Sequence, residues 1–391
     1  MLLRRWLVVS LSVCLVFLSG CSLPQVSAEE RLFLNLSLDF LGEYELPKQE
    51  FQQTPVGGLS AITYDRQRDR FYAVSDDRSD LAPARFYTLK VDLDRSNDTA
   101  PWIGQVALEA VTFLTDEKGQ PYAKGTVDTE GIALSPGGGV FVSSEGVTRD
   151  RLPPLVRQFD RVSGKGQSSL PIPSRYLPNP KGEELTQGVQ DNLGFEALTL
   201  VAGSYGQGSG TSTEPFRIFT ATESALIQDQ GAPGQESLSR MLHYLVESGR
   251  FLLVSEHAYP VDPVPRGALS NGLAEILAVD QAGHFLSLER SFGPLVGFGV
   301  KLYQITTSGA TDTSTIDSLK GPLRGVQPIR KKLLLDLSEL GIRLDNLEGM
   351  TLGPRLPDGS QSLLLVSDDN FQPAQVTQFL LFRLKGLRPG R

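Results

Sequence analysis

The chain has 391 residues, two cysteines and a formal net charge of -8. That balance argues against a nucleic-acid role, since phosphate binding needs a basic face, and it suits a protein that holds cations. The length allows a large buried core without disulfides.

Residues 1–20 read as an export signal, with Arg4 and Arg5 ahead of an apolar stretch at 6–17 that is short for a bilayer span. Leu18-Ser19-Gly20-Cys21 resembles a bacterial lipobox. The expectation is cleavage before Cys21, lipidation of Cys21 and a tether over residues 21–30. The protein would then sit at the cell envelope, touching the membrane through lipid alone, stably if two or more acyl chains are attached. Cys14 leaves with the signal, so no cysteine remains for a disulfide or a thiolate metal site. No later apolar run approaches membrane-spanning length.

Residues 31–391 are predicted to form a single domain. The first strand candidate, residues 31–40, alternates Leu32, Leu34, Leu36 and Leu38. One pattern then recurs five times, at intervals of roughly 70 residues. An apolar strand opens beside an acidic or glycine residue, and a second strand closes on an acidic one. The copies are 58–62 with 71–77, 130–134 with 140–145, 195–199 with 218–223, 273–277 with 284–289, and 348–352 with 363–369. Third strands are expected at 85–91, 155–159, 241–246, 300–305 and 377–382. Fourth strands are fainter, clearest at 251–254 and 332–335. Helical periodicity is nearly absent, apart from one turn near Ser338-Glu339-Leu340. Residues 174–193, 202–214 and 228–237 read as loops, one of which could overhang a functional mouth.

Four-stranded units repeated radially are the signature of a propeller. The fold expected is all-β, a single β-propeller of about five to six four-stranded blades. The N-terminal strand would join the last blade and close the ring, hiding both edges. A β-sandwich competes, but its turns come every 8 to 12 residues without so long a period.

A hairpin reverses direction, so the start of its first strand lies beside the end of its second. Glu130 with Glu145, Glu196 with Glu223, and Glu348 with Asp368 should therefore meet at one mouth, joined by Asp76, Asp77, Glu289 and Asp369. Crowded carboxylates repel one another and call for a counter-ion. Oxygen-only ligation suits a hard cation, Ca²⁺ ahead of Mg²⁺ or Mn²⁺. Asp76, Asp77, Glu145, Glu223, Glu289, Glu348 and Asp368 are the expected metal ligands, and Glu130 and Glu196 the expected catalytic bases. The plainer alternative is that these acids cap strands and satisfy backbone donors. Arg78, Arg149 and Arg290 each follow an acidic strand end and could fork onto an anionic group; ordinary rim ion pairs are the alternative for each.

His243, His257 and His284 lack metal-ligand spacing, and His243 reads as a structural histidine. No G-x-S-x-G elbow is present. Gly137-Gly138-Gly139 has no helix start after it and reads as a turn rather than a phosphate cradle.

With Tyr72-Ala73-Val74-Ser75-Asp76-Asp77, Asp128-Thr129-Glu130-Gly131-Ile132, Ser143-Ser144-Glu145-Gly146, Gly194-Phe195-Glu196-Ala197-Leu198, Leu288-Glu289-Arg290-Ser291 and Asn346-Leu347-Glu348-Gly349-Met350, the chain resembles the phytase-like domain family. That family carries the label "esterase-like activity of phytase". The resemblance covers roughly residues 50 to 385 and implies a calcium-binding propeller of exported bacterial proteins. It implies hydrolase activity only loosely. The acidic positions it carries over are Asp76, Asp77, Glu130, Glu145, Glu196, Glu289, Glu348 and Asp368. The fourth repeat departs from the pattern, with Glu275 displaced into its strand.

Together these readings predict a lipid-anchored, calcium-dependent ester hydrolase acting on a small anionic ester, a phosphoester first. Its rival is a non-catalytic calcium-binding propeller lipoprotein that grips a ligand or protein partner. A third reading is another enzyme chemistry, such as sugar or lactone transformation.

Overall fold

Alternation along each strand puts one set of apolar side chains on each face of a sheet, so both faces must be covered. Packing sheet against sheet around an axis does this. The computed structural model describes residues 30–94, 96–97, 100–201, 214–231 and 237–387. Residues 1–29, with the expected signal, Cys21 and nearly all of the tether, lie outside the described residues, as do 202–213 and 232–236. Asn35–Arg391 forms one compact unit.

After strand β1 (Ser37–Leu46) comes a small hairpin, β2 (Gln49–Phe51) and β3 (Thr54–Val56). Blade one holds β4 (Leu59–Asp65), β5 (Arg70–Ser75), β6 (Arg85–Asp94) and β7 (Trp102–Phe113). Blade two holds β8 (Thr129–Leu134), β9 (Val140–Ser144), β10 (Leu155–Phe159) and β11 (Gly166–Ser169). Blade three holds β12 (Phe195–Val201), β13 (Phe216–Thr222), β14 (Ser237–Glu247) and β15 (Arg250–Val261). Blade four holds β16 (Ser270–Ala278), β17 (His284–Gly293), β18 (Gly297–Thr306) and β19 (Arg330–Asp336). Blade five holds β20 (Asn346–Arg355), β21 (Gln361–Asp368) and β22 (Thr377–Lys385), with β1 paired antiparallel to β22 as its fourth strand.

The innermost strands contact one another in a cycle, β4 to β8, β12, β16, β20 and back to β4. Five apolar clusters fill the gaps between successive blades. Ile62, Phe71 and Leu89 of blade one, for example, pack with Val366, Phe379 and Leu381 of blade five. The architecture is thus a five-bladed propeller; the expected range of five to six narrows to five. Among the described residues there is no α-helix, only short 3-10 turns, one of them at Leu337–Leu340 where a turn was expected.

The first strand expected at 31–40 begins later. Residues Glu30–Leu32 make a 3-10 turn, and β1 runs past a bulge between Phe40 and Gly42 to Leu46. Sequence pattern also missed β7 and β11, outermost strands with much of their length only partly covered. Their mixed composition carries no clean alternation.

Candidate functional site

Each blade repeats one local device. Pairing of the two inner strands slips by one residue just after the inner strand begins. The slip leaves Ser60 unpaired in blade one, Glu196 in blade three, Ala274 in blade four and Glu348 in blade five; in blade two it falls within Glu130-Gly131. A bulge bends its strand and re-aims a side chain. Three of the five bulges carry a glutamate. Beside each bulge, the second strand or the residue just past its end contributes Asp76, Glu145, Glu223, Arg290 or Asp368. These pair across to Gly58, Asp128, Gly194, Gly272 and Asn346 in turn.

Eight carboxylates therefore converge at one mouth: Asp76, Asp128, Glu130, Glu145, Glu196, Glu223, Glu348 and Asp368. All are buried except Asp76, which is partly covered. Two guanidiniums face them. Arg78 Nε donates to Asp128 Oδ1 at 2.7 Å, and Arg290 Nη2 lies 2.9 Å from Glu348 Oε1 and 3.4 Å from Glu223 Oε1. Asp76, Glu130, Glu196, Arg290, Glu348 and Asp368 line a cavity of about 870 Å³, with Asn192 and Arg343 on its wall. Asn192 comes from the loop at 174–193, one of those expected to reach a mouth.

Burial and mutual repulsion act in the same direction here. Glu130 is pushed well above the ordinary carboxylate range by desolvation, then by Asp76 and Glu196. Asp76 is raised by desolvation, then by Asp128 and Asp368; Glu145 and Glu196 are raised by desolvation and their acidic neighbours. Glu348 is pushed up to about 7 by burial, against the pull of Arg290. Burial works against the charge on Arg290, but Glu348 and Glu223 overcome it and hold the guanidinium firmly protonated.

Two groups of carboxylate oxygens lie within 4.8 Å of one another, Asp76 with Asp128 and Glu130, and Glu130 with Glu145 and Glu196. Ligands about 2.4 Å from a shared Ca²⁺ cannot be more than about 4.8 Å apart. Glu145 Oε2 is buried with no hydrogen-bond partner among the described residues, although Oε1 accepts from Gly194 N–H. An orphaned buried carboxylate oxygen is costly unless a cation meets it. The donor set is all oxygen and strongly acidic, so it fits a hard divalent cation.

Several expected site residues lie elsewhere. Asp77, just past the end of β5, forms a fully buried ion pair with Arg85 instead of joining the ring. Glu289 accepts from Tyr259 Oη at 2.7 Å and pairs with Lys331 Nζ at 2.5 Å, while Asp262 N–H and Asn271 Nδ2 donate to its other oxygen. In blade four the ring position belongs to Arg290, one residue further on, and a one-residue step reverses the face. Asp369 accepts from the N–H groups of Gly58 and Phe371, the strand-capping alternative. Arg149 is exposed and pairs with Asp150 and Asp191 on the surface. Glu275 is buried in its strand and accepts from Leu198 and Ile276 N–H. His243 stacks on Phe219, with a ring-centroid distance of 4.3 Å, and burial pulls its pKa down to about 4.

Asp128 went unrecognised in the sequence because its counterparts in the other blades are Gly58, Gly194, Gly272 and Asn346. Its place two residues before Glu130 was the available signal. Arg343 and Asn192 come from connecting loops with no repeat to mark them.

Most of the blade-forming chain matches a known family. The family described as "Phytase-like: Esterase-like activity of phytase" matches residues 54–371, and the chain belongs to it. No curated protein matches. Among solved structures, the chain is similar to an endo-arabinase from Bacteroides thetaiotaomicron at 10% identity and TM-score 0.41, over 85% of this chain and 97% of that one. It is also similar to the catalytic domain of a GH62 alpha-L-arabinofuranosidase from Coprinopsis cinerea, at 9% identity and TM-score 0.40, over 90% and 97% of the two chains. A beta-fructofuranosidase from Schwanniomyces occidentalis gives 8% identity and TM-score 0.40, over 87% and 59%.

Proposed function

We propose that the protein is an exported, lipid-anchored, calcium-dependent ester hydrolase acting on phosphoesters at the acidic mouth. The observation that carries this reading is the convergence of eight carboxylates with Arg78 and Arg290 at one mouth, where Asp76, Glu130, Glu196, Glu348, Asp368 and Arg290 line the cavity and Glu145 Oε2 is left unpartnered. Membership of the phytase-like family supports the hydrolytic part.

Asp76, Asp128, Glu130 and Glu145 would hold Ca²⁺: they supply the whole of one oxygen group and, with Glu196, the other, and the two meet at Glu130. Glu130 thereby moves from base to ligand. Bound there, the ion would supply positive charge to ester oxygens as negative charge develops on them. Arg290, which lines the cavity, orients the anionic group through its planar fork. Arg78 holds Asp128 in place. Glu196 is the general base: it faces the cavity and receives no hydrogen bond among the described residues, so its oxygens are free to accept a proton from water.

The test is turnover of a panel of phosphate and carboxylic esters by protein stripped with chelator and then resupplied with Ca²⁺. Activity that returns with Ca²⁺ and is strongest on phosphoesters is expected. Thermal stabilisation by Ca²⁺ with no turnover on any ester would replace this reading with the binding-protein one.

A further inference from the structure

The cavity is not acidic on every side. Beyond the carboxylates, β17 and β18 continue as a hairpin whose tip spans residues 293–297. Phe292, Val296 and Phe298 of this hairpin line the cavity, and Ile342 and Leu344 line it as well. The Phe292 and Phe298 rings lie 4.8 Å apart. Val296 is 57% exposed and Leu295 at the tip is 97% exposed. The neighbouring loop abuts this tip, with Leu269 N–H donating to Phe292 O at 2.7 Å, and it exposes Leu269 in turn. Contiguous exposed apolar surface beside a charged cleft marks a binding contact.

Charge narrows what binds there. Arg290 and Arg343 are the cationic side chains lining the cavity, against several carboxylates. A polyanion would meet repulsion from most of the ring, whereas one anionic group could settle beside Arg290. We infer that the substrate is an ester with a single anionic head and an apolar arm, the head at Arg290 and the arm along Phe292, Val296 and Phe298. This inference rests on the hydrolase reading for the word substrate, but the binding geometry stands apart from turnover.

The test is calorimetric titration of the Ca²⁺-loaded protein with methyl-, butyl- and octylphosphonate, with inositol hexakisphosphate as the polyanion. Affinity should rise with chain length, by up to about fourfold per methylene buried, and the octyl compound should bind more tightly than the hexakisphosphate. Val296→Asp should flatten the chain-length dependence; the wild-type series stands as a test without any variant. Sedimentation with phosphatidylglycerol vesicles distinguishes the source of the arm: Val296-dependent co-sedimentation assigns it to a lipid, and its absence, with a rising series, to a dissolved ester. A flat series, or tighter binding of the hexakisphosphate, overturns the inference. A rising series without turnover of the matching alkyl phosphates leaves it standing and removes the hydrolase reading instead.

Discussion

Arg290 Nη2 lies 2.9 Å from Glu348 Oε1, tying the second strand of blade four to the inner strand of blade five. At this position the other four blades place an acid, so one cation interrupts the ring. Replacing Arg290 with Met removes the counter-charge of Glu348 and Glu223 while keeping most of the volume. Breaking one side of a buried ion pair typically costs about 3–5 kcal/mol. In chelator at pH 8 the Arg290→Met variant is expected to melt well below wild type, and Ca²⁺ should stabilise it more than wild type. Equal melting temperatures at pH 8 would show that the guanidinium is not the counter-ion of the ring.

Stability should fall as pH rises in metal-free protein, which is unusual for an acidic chain. Burial raises the folded pKa of Glu348 from the ordinary 4.5 to about 7, and raises Asp76, Glu130, Glu145 and Glu196 in the same direction. Between the unfolded and folded pKa values the native state binds more protons than the unfolded state, so stability declines with increasing pH. For Glu348 the window runs from about 4.5 to about 7. Bound Ca²⁺ would keep the carboxylates ionised and reverse the slope. Melting temperatures across pH 5 to 8, with chelator and with Ca²⁺, should give opposite trends; parallel curves would place the ion elsewhere.

The blade pattern was readable because inner and middle strands are covered on both faces and announce themselves as apolar runs. The carboxylate ring was readable in four blades, where the acid ending the second strand and, in three of those, the glutamate opening the first recur at similar offsets. Blade four misled because Glu289 and Arg290 are adjacent, and a single-residue bulge decides which of them faces the axis. Counting alternation cannot detect an inserted residue. Asp76-Asp77 posed the same ambiguity, settled by Arg85, which lies eight positions on and holds Asp77 away from the mouth. Asp128 shows the converse, an acid that joins the ring from a position most blades give to glycine.

Roles within the ring should separate by substitution. Glu196→Gln is expected to lower kcat by at least about 100-fold, the usual contribution of a positioned base, while leaving Ca²⁺ stabilisation largely intact. Glu130→Gln removes the negative charge and one carboxylate oxygen of the residue common to both clusters, and should abolish Ca²⁺ stabilisation as well as turnover. Glu289→Gln and Arg149→Ala, whose side chains pair away from the cavity, should keep kcat/KM per folded molecule within about twofold of wild type. Steady-state kinetics with a Ca²⁺ titration of melting temperature reads all four; loss of turnover in Arg149→Ala would restore it to the site.

Asp77 and Arg85 make a purely structural pair. Arg85 also donates to Tyr87 Oη and to Pro55 O, so it binds the short β2–β3 hairpin to blade one. Arg85→Met leaves Asp77 buried without a partner and is expected to cost about 3–5 kcal/mol in urea unfolding. Turnover per folded molecule and the Ca²⁺ dependence should stay at wild-type values. A changed Ca²⁺ affinity would mean that Asp77 reaches the ion after all.

Gly272 tests whether Glu223 must keep its present position. A Cβ at Gly272 would fall 2.2 Å from Glu223 Oε1 and 2.4 Å from its Cγ, so the side chain has to swing away. Glu223 neighbours Arg290 and sits behind Glu145 and Glu196, where it shapes the field without being in either oxygen group. Gly272→Ala should therefore fold, yet bind Ca²⁺ about tenfold more weakly, a magnitude typical of changes just outside the ligand shell. Glu223→Ala should produce a similar loss, and the double variant no further one, because both act through the same carboxylate. Additive losses in calorimetric titrations of the three variants would show instead that Gly272 matters to the backbone of β16 and that Glu223 acts independently of it.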